Sequence, residues 1–171
     1  SGSSQGTGFQ DDPISTIQGA IDLVSDGDTV LIAPGTYSSF TITGKNDLVI
    51  SSHFSTSNDT LDISSTIIDA NGQSNGVFVT SISEGNLILK GFTVIGASSS
   101  GISAALIDSL FLSDLKIRNS TQAPEPWDNF GNGVNVGSVN YFSAIRIVSE
   151  NNYEGLSVGS FVNEVNIEYS E

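Results

Sequence analysis

The 171-residue chain contains no cysteine, and that absence removes disulfide staples, thiol nucleophiles and thiolate metal sites at once. It leaves the compartment open, since many secreted proteins also lack cysteine. Basic residues are nearly as scarce: five Lys and Arg stand against nineteen Asp and Glu, for a formal charge of −14. Binding to a phosphate backbone needs clustered cations, so nucleic acid is excluded as a partner. There is no apolar run of about 18 residues and no basic segment leading into an apolar one, so neither a membrane-spanning helix nor a retained signal peptide is expected. The single histidine, His53, has no metal-ligating residue type beside it and reads as a surface side chain. The acidity reads as a solvated surface that keeps the chain dissolved. Its sharper reading is weak calcium binding by Asp and Asn at corners.

What is present is concentrated first in Ser15 to Tyr37, where an amphipathic helix runs without a linker into a short apolar strand and a Pro-Gly turn. Ile14, Ile17, Ile21 and Val24 recur at helical spacing and make one apolar stripe. Ser15, with Gln18 three residues later, has the form of a capping box, which sets the helix at residues 15–25. Asp26-Gly27-Asp28 then turns the chain into a strand from Thr29 to Ala33. Residues 1–11 are rich in Gly and Ser and read as a flexible arm without chemistry, and 12–171 reads as one domain.

The strand-and-turn unit then returns. Phe92-Thr93-Val94 can be laid over Leu115-Lys116-Ile117, Ile145-Arg146-Ile147 and Val165-Asn166-Ile167, with second apolar residues separated by 23, 30 and 20 positions. Thr66-Ile67-Ile68 gives an earlier member 27 residues upstream of Val94. Each copy continues through a polar corner (Gly96, Asn119 or Ser149) and a variable loop to a Gly-apolar pair: Gly76-Val77, Gly101-Ile102, Gly133-Val134 and Gly155-Leu156. Alternation within the strands sends apolar side chains inward and polar ones outward. One such unit cannot bury its apolar face alone, whereas units stacked at about 4.8 Å place each inward residue over its counterpart. Parallel neighbours need a long return path, which two further strands per unit supply.

These observations predict an all-β, single-stranded parallel β-helix, a solenoid of about 5–6 rungs, with the N-terminal helix as a lid over the first rung. A first rung exposes unpaired edges and an apolar cross-section, so a cap is expected there. The opening TIQGAIDLVSDGDTVLIAPGTY and the later TIIDANG, GFTVIG and LKIRNS resemble the right-handed parallel β-helix, or pectin lyase-like, superfamily of secreted bacterial and phage proteins. The resemblance runs from about Asp12 to the last residue. It implies a right-handed solenoid and an extracellular or cell-surface location. It leaves activity open, because lyases, hydrolases, epimerases, adhesins and tailspikes share the scaffold and function lives in sites rather than folds.

Two places qualify as candidate sites. The repeat alignment puts Thr93, Lys116, Arg146 and Asn166 in one outward column, with Asp114 and Glu164 two residues earlier on their strands. Lys116 and Arg146 would then be neighbours. The resemblance implies a role for such a pair, since polysaccharide lyases of this fold use a basic residue to take a proton beside a uronate carboxylate and cationic groups or calcium to stabilise the anion. The ordinary reading is that Asp114 and Glu164 neutralise the two cations. Asp69, Asp108 and Asp114 are too scattered to form a hydrolase-type carboxylate set.

The second place is the loop Thr121 to Asn132, which holds the only Trp. Trp127 and Phe130 could stack on sugar rings, while Glu125, Asp128 and Asn129 could bond hydroxyls or hold calcium through oxygen ligands. The ordinary reading makes Trp127 a hydrophobic plug over the neighbouring rung. Threonines form no regular outward rows, which disfavours an ice-binding solenoid.

The functional expectation is a non-catalytic extracellular module, glycan-binding or structural and adhesive, with no required cofactor and calcium as the one candidate ion. A lyase or epimerase of acidic glycans is the first alternative. A self-stacking filament subunit is the second, because Val162 to Glu168 reads as a strand with no cap visible after it, as in a C-terminally truncated chain or one that associates through that rung.

Overall fold

The computed structural model describes residues 2, 6–120, 131–159 and 161–168. Among them the order is α1 (Ile17–Leu23), β1 (Thr29–Ile32), β2 (Gly35–Ser38), β3 (Phe40–Thr43), β4 (Leu48–Ser52), α2 (Phe54–Ser57), α3 (Thr60–Ser65), β5 (Thr66–Asp69), β6 (Asn75–Lys90), β7 (Thr93–Ile95), β8 (Ser100–Arg118), β9 (Asn132–Glu150), β10 (Glu154–Val158) and β11 (Val162–Glu168). The protein is all-β, and every pairing between these strands is parallel.

The pairings fall into three columns of one curled sheet. The first stacks β1, β4, the end of β6 and the middles of β8 and β9, then β11. The second stacks β2, β5, β7 and the ends of β8 and β9. The third stacks β3, the starts of β6, β8 and β9, then β10. The chain visits them in the same cyclic order, so the return path between parallel neighbours runs through the other two columns rather than through a helix.

Single left-handed residues make the bends between columns. Gly44, Ser81, Leu106 and Ser138 turn the chain from the third column to the first, and Gly91, Asp114 and Arg146 from the first to the second. Asn71, Gly96, Asn119 and Asn151 turn it from the second to the third. Asn and Asp tolerate this region better than other non-glycine residues because their short polar side chains bond locally. At Asn71 the local bond comes from the residue two before it: the Asn71 backbone N–H donates to the Asp69 side-chain Oδ1 at 2.8 Å.

Inside the curl, buried aliphatic and aromatic side chains line up in files. Ile50, Leu89, Leu112 and Ala144 form one, and Leu48, Leu87, Leu110 and Phe142 another. The predicted Gly-apolar pairs hold: Val77, Ile102, Val134 and Leu156 occupy successive positions of one file. Three of the four glycines before them are needed for close approach. A Cβ at Gly76 would collide with Val94, at Gly101 with Ile117, and at Gly133 with Ser149. One core cluster draws on all three columns, which is why the sheet curls.

The lid also holds, with changed details. Ile17 and Ile21 are buried in α1, and Ala20 and Val24 pack partly buried against the core. The helix is capped by Thr16, whose hydroxyl accepts from Gly19 N–H at 3.1 Å, so the Ser15–Gln18 capping box does not form. Gln18 instead reaches across the fold, its Oε1 accepting from Thr41 N–H of β3 at 2.8 Å.

The repeat alignment is right at one junction and slipped at three. Val94 lies over Ile117 as expected. Ile117, however, lies over Ser149 rather than Ile147, and Ile147 lies over Leu115. The cause is Arg146, whose φ of 52° makes it a corner inside what reads as a continuous Ile-Arg-Ile strand. Ser149 is accordingly an inward strand residue, and the corner is Asn151. Ile167 lies over Ala144 in the first column, and Ile68 rather than Ile67 lies under Val94.

Gly101→Ala should lower unfolding stability by about 1–3 kcal/mol through overpacking against Ile117 and the Gly133 carbonyl. Gly137→Ala, in the same column with nothing within 4 Å of its Cβ position, should stay within about 0.5 kcal/mol. Urea denaturation of the two variants measures the difference.

Candidate functional site

The slipped register separates the predicted basic pair. Lys116 of β8 lies opposite Val148, and Arg146 falls between the pairs Ser113–Ile145 and Leu115–Ile147, facing Asp114. The two cations are therefore diagonal, and each is held by a carboxylate on the other's strand. Arg146 Nε and Nη2 bond Asp114 Oδ1 and Oδ2 at 2.5 and 2.8 Å, a two-pronged pair. Lys116 Nζ lies 3.3 Å from Glu150 Oε2. Asp114 neutralises Arg146 as the ordinary reading expected, but Glu164 takes no such part: it lies opposite Tyr141.

Arg146 is poorly suited to abstract a proton. Its hydrogen bond with Asp114 raises the guanidinium pKa above its already high ordinary value, so the group stays protonated at any pH where a base is needed. The outward side of the second column is also roofed at Thr93, which is buried and donates its hydroxyl to the Ile63 carbonyl of α3 at 2.7 Å. Asn166, expected in the same column, lies opposite Ser143 in the first.

The loop residues Glu125, Trp127, Asp128, Asn129 and Phe130 lie outside the described residues. His53 is half-buried ahead of α2, its carbonyl accepting from Thr56 and Ser57 N–H. Among the described residues no three His, Asp or Glu side chains gather as a metal-binding group.

A different surface brings two aromatic rings together. On the outward side of the first column, Val49, Ile88, Phe111, Ser143 and Asn166 follow one another up a file. Beside it runs a file of Asn86, Ser109, Tyr141 and Glu164. Phe111 and Tyr141 are diagonal neighbours with ring centroids 5.2 Å apart and planes tilted by 39°. Both are half-buried, so part of each side chain meets solvent. Alternation carries the signal: Leu110 and Leu112 point inward, which sends Phe111 outward between the serines at 109 and 113. Tyr141, next to inward Phe142, follows the same rule. The aligned triplets 92–94, 115–117, 145–147 and 165–167 include neither residue.

No protein-family model matches the chain, and no curated protein matches its sequence. The chemistry of the site therefore rests on its geometry.

Arg146→Ala leaves the Asp114 carboxylate, only 5% exposed, without its partner, and should cost roughly 1–3 kcal/mol of stability. Glu150→Ala, which breaks a pair open to solvent on both sides, should cost under about 1 kcal/mol. Thermal unfolding of both variants at low and high salt separates the two cases, because only the second loss should fade as salt screens it.

Proposed function

We propose that the chain is a right-handed parallel β-helix of about 5–6 rungs, of the pectin lyase-like kind, acting as a non-catalytic extracellular or cell-surface module that binds glycan. Support for the helix comes from the cyclic order of the three columns and the file of tight glycines. Support for glycan binding comes from one observation above others, the Phe111–Tyr141 pair on an outward sheet face flanked by Ser109, Ser113 and Asn86. Aromatic faces take the C–H side of sugar rings, and hydroxyl and amide groups beside them take the sugar hydroxyls.

The charge of −14 argues for neutral rather than acidic glycans, since a uronate polymer would be repelled over most of the surface. The fixed pairing of Lys116 and Arg146 with carboxylates argues in the same direction. It leaves neither cation free to meet an anionic substrate without first breaking an ion pair.

On an array of neutral polysaccharides, wild type should give a defined set of positives. Phe111→Ala and Tyr141→Ala should each weaken them about tenfold, with circular dichroism unchanged. A blank array, or variants that bind as wild type does, would remove the role of this face. Release of unsaturated products from a uronate polymer, lost in Lys116→Ala, would replace binding with lyase activity.

A further inference from the structure

Among the described residues, the first strand of the sheet has one unpaired edge, which lies beside an apolar groove. β1 pairs with β4 on one side only among the described residues. Val49 N–H donates to the Asp28 carbonyl at 3.1 Å. In a parallel ladder this turns the backbone groups of Val30 and Ile32 toward β4 and those of Thr29 and Leu31 away from it. No described residue hydrogen-bonds the backbone of Thr29 or Leu31 on that outer side. The neighbouring edges are treated differently. Gln18 closes β3 at Thr41, and Tyr37 folds its hydroxyl onto the Ala33 carbonyl at 2.9 Å beside β2.

The free edge borders a groove of about 940 Å³ between β1, α1 and the preceding arm, with Phe9, Ile14, Ala20 and Leu23 among its lining residues. Three large apolar side chains around it face solvent: Phe9 at 73%, Leu23 at 66% and Leu31 at 49% exposure. Asp28 is the one charged residue among its described lining residues, and the segment that builds the groove is one-sided in charge. The first 44 residues contain no Lys, Arg or His, and they hold Asp11, Asp12, Asp22, Asp26 and Asp28. The nearest cation is Lys45, whose ammonium is committed to the Val24 carbonyl at 2.5 Å.

We infer that this groove is a docking site for an extended, basic polypeptide segment that adds to the β1 edge, with apolar side chains against Phe9, Leu23 and Leu31 and Lys or Arg side chains toward Asp28 in its lining and the other aspartates of the same N-terminal segment. Strand addition uses what is exposed here: main-chain donors and acceptors give affinity, and alternating side chains give selectivity. The charge decides the class of partner. An acidic or neutral strand would find the same backbone edge without the attraction of Asp28 and of the uncompensated acidic charge of the N-terminal segment. The inference stands apart from glycan binding, which uses the outer face of the first column.

The probe is a fluorescent decapeptide of alternating Val and Lys, with a Val–Glu decapeptide as its opposite. At low salt the lysine peptide should bind the wild-type chain at least tenfold more tightly than the glutamate peptide. It should also slow hydrogen exchange of the Thr29 and Leu31 amides at least tenfold. Leu31→Pro removes only the outward N–H, not one used by the β4 ladder, and should weaken the lysine peptide at least tenfold. Should Leu31→Pro unfold the chain, Asp22→Asn with Asp26→Asn leaves the backbone intact and should cost the lysine peptide its advantage over the glutamate peptide. Amides of Thr29 and Leu31 that already exchange slowly without peptide would mean that the edge is filled by this chain or a second copy, and would overturn the inference. Equal binding of both peptides, or binding that leaves those two amides unprotected, would overturn it too.

Discussion

Everything in this structure depends on how closely one layer can approach the next at the start of the third column. There Gly76, Gly101 and Gly133 let Val94, Ile117 and Ser149 press against the backbone, where any side chain would hold them off. Once that contact is made, the register of the parallel ladder is set on both sides of it. A slip of one residue would turn the inward file outward. Hydrophobic burial supplies the drive, but the glycines decide which of several similar aliphatic patterns is stacked on which.

That distinction explains what was legible in the sequence. The all-β character, the helical lid and the Gly-apolar file followed from periodicity and from the needs of close packing. The register between Ile68 and Val94 and that beyond Ile117 did not, the latter because Arg146 takes a left-handed corner that neither composition nor alternation marks. A guanidinium side chain at φ 52° is unfavourable in isolation and is accepted here with a two-pronged bond to the residue stacked on it. Asn119 and Asn151, by contrast, are corner residues of a kind that a sequence can announce. The aromatic pair was legible in principle, since Phe111 between two serines can only point outward once Leu110 and Leu112 point in. The triplets that carry the repeat, 92–94, 115–117, 145–147 and 165–167, do not contain it.

Electrostatics divides the surface in an uneven way. Lys90 lies over the Phe54 ring, 5.7 Å from its centroid, Lys45 serves a backbone carbonyl, and Lys116 and Arg146 each hold a carboxylate. Four of the five cations are thus structural fasteners rather than a binding field; the fifth, Arg118, has a buried Nε with no hydrogen-bond partner among the described residues. The acidic residues are left to set the long-range potential, and they do so most one-sidedly around the first strand. The half-buried aromatic face of the first column is where non-charged chemistry meets solvent.

The ladders have a mechanical consequence. Backbone hydrogen bonds between successive layers point along the stacking direction in all three columns. A force along that direction therefore loads every bond of a layer at once, and the weakest layer must give way as a unit. A force that pulls one strand sideways meets the same bonds one after another and needs far less tension to open them. A partner gripping the flank of the stack and one gripping a single strand would thus experience two very different materials in the same molecule.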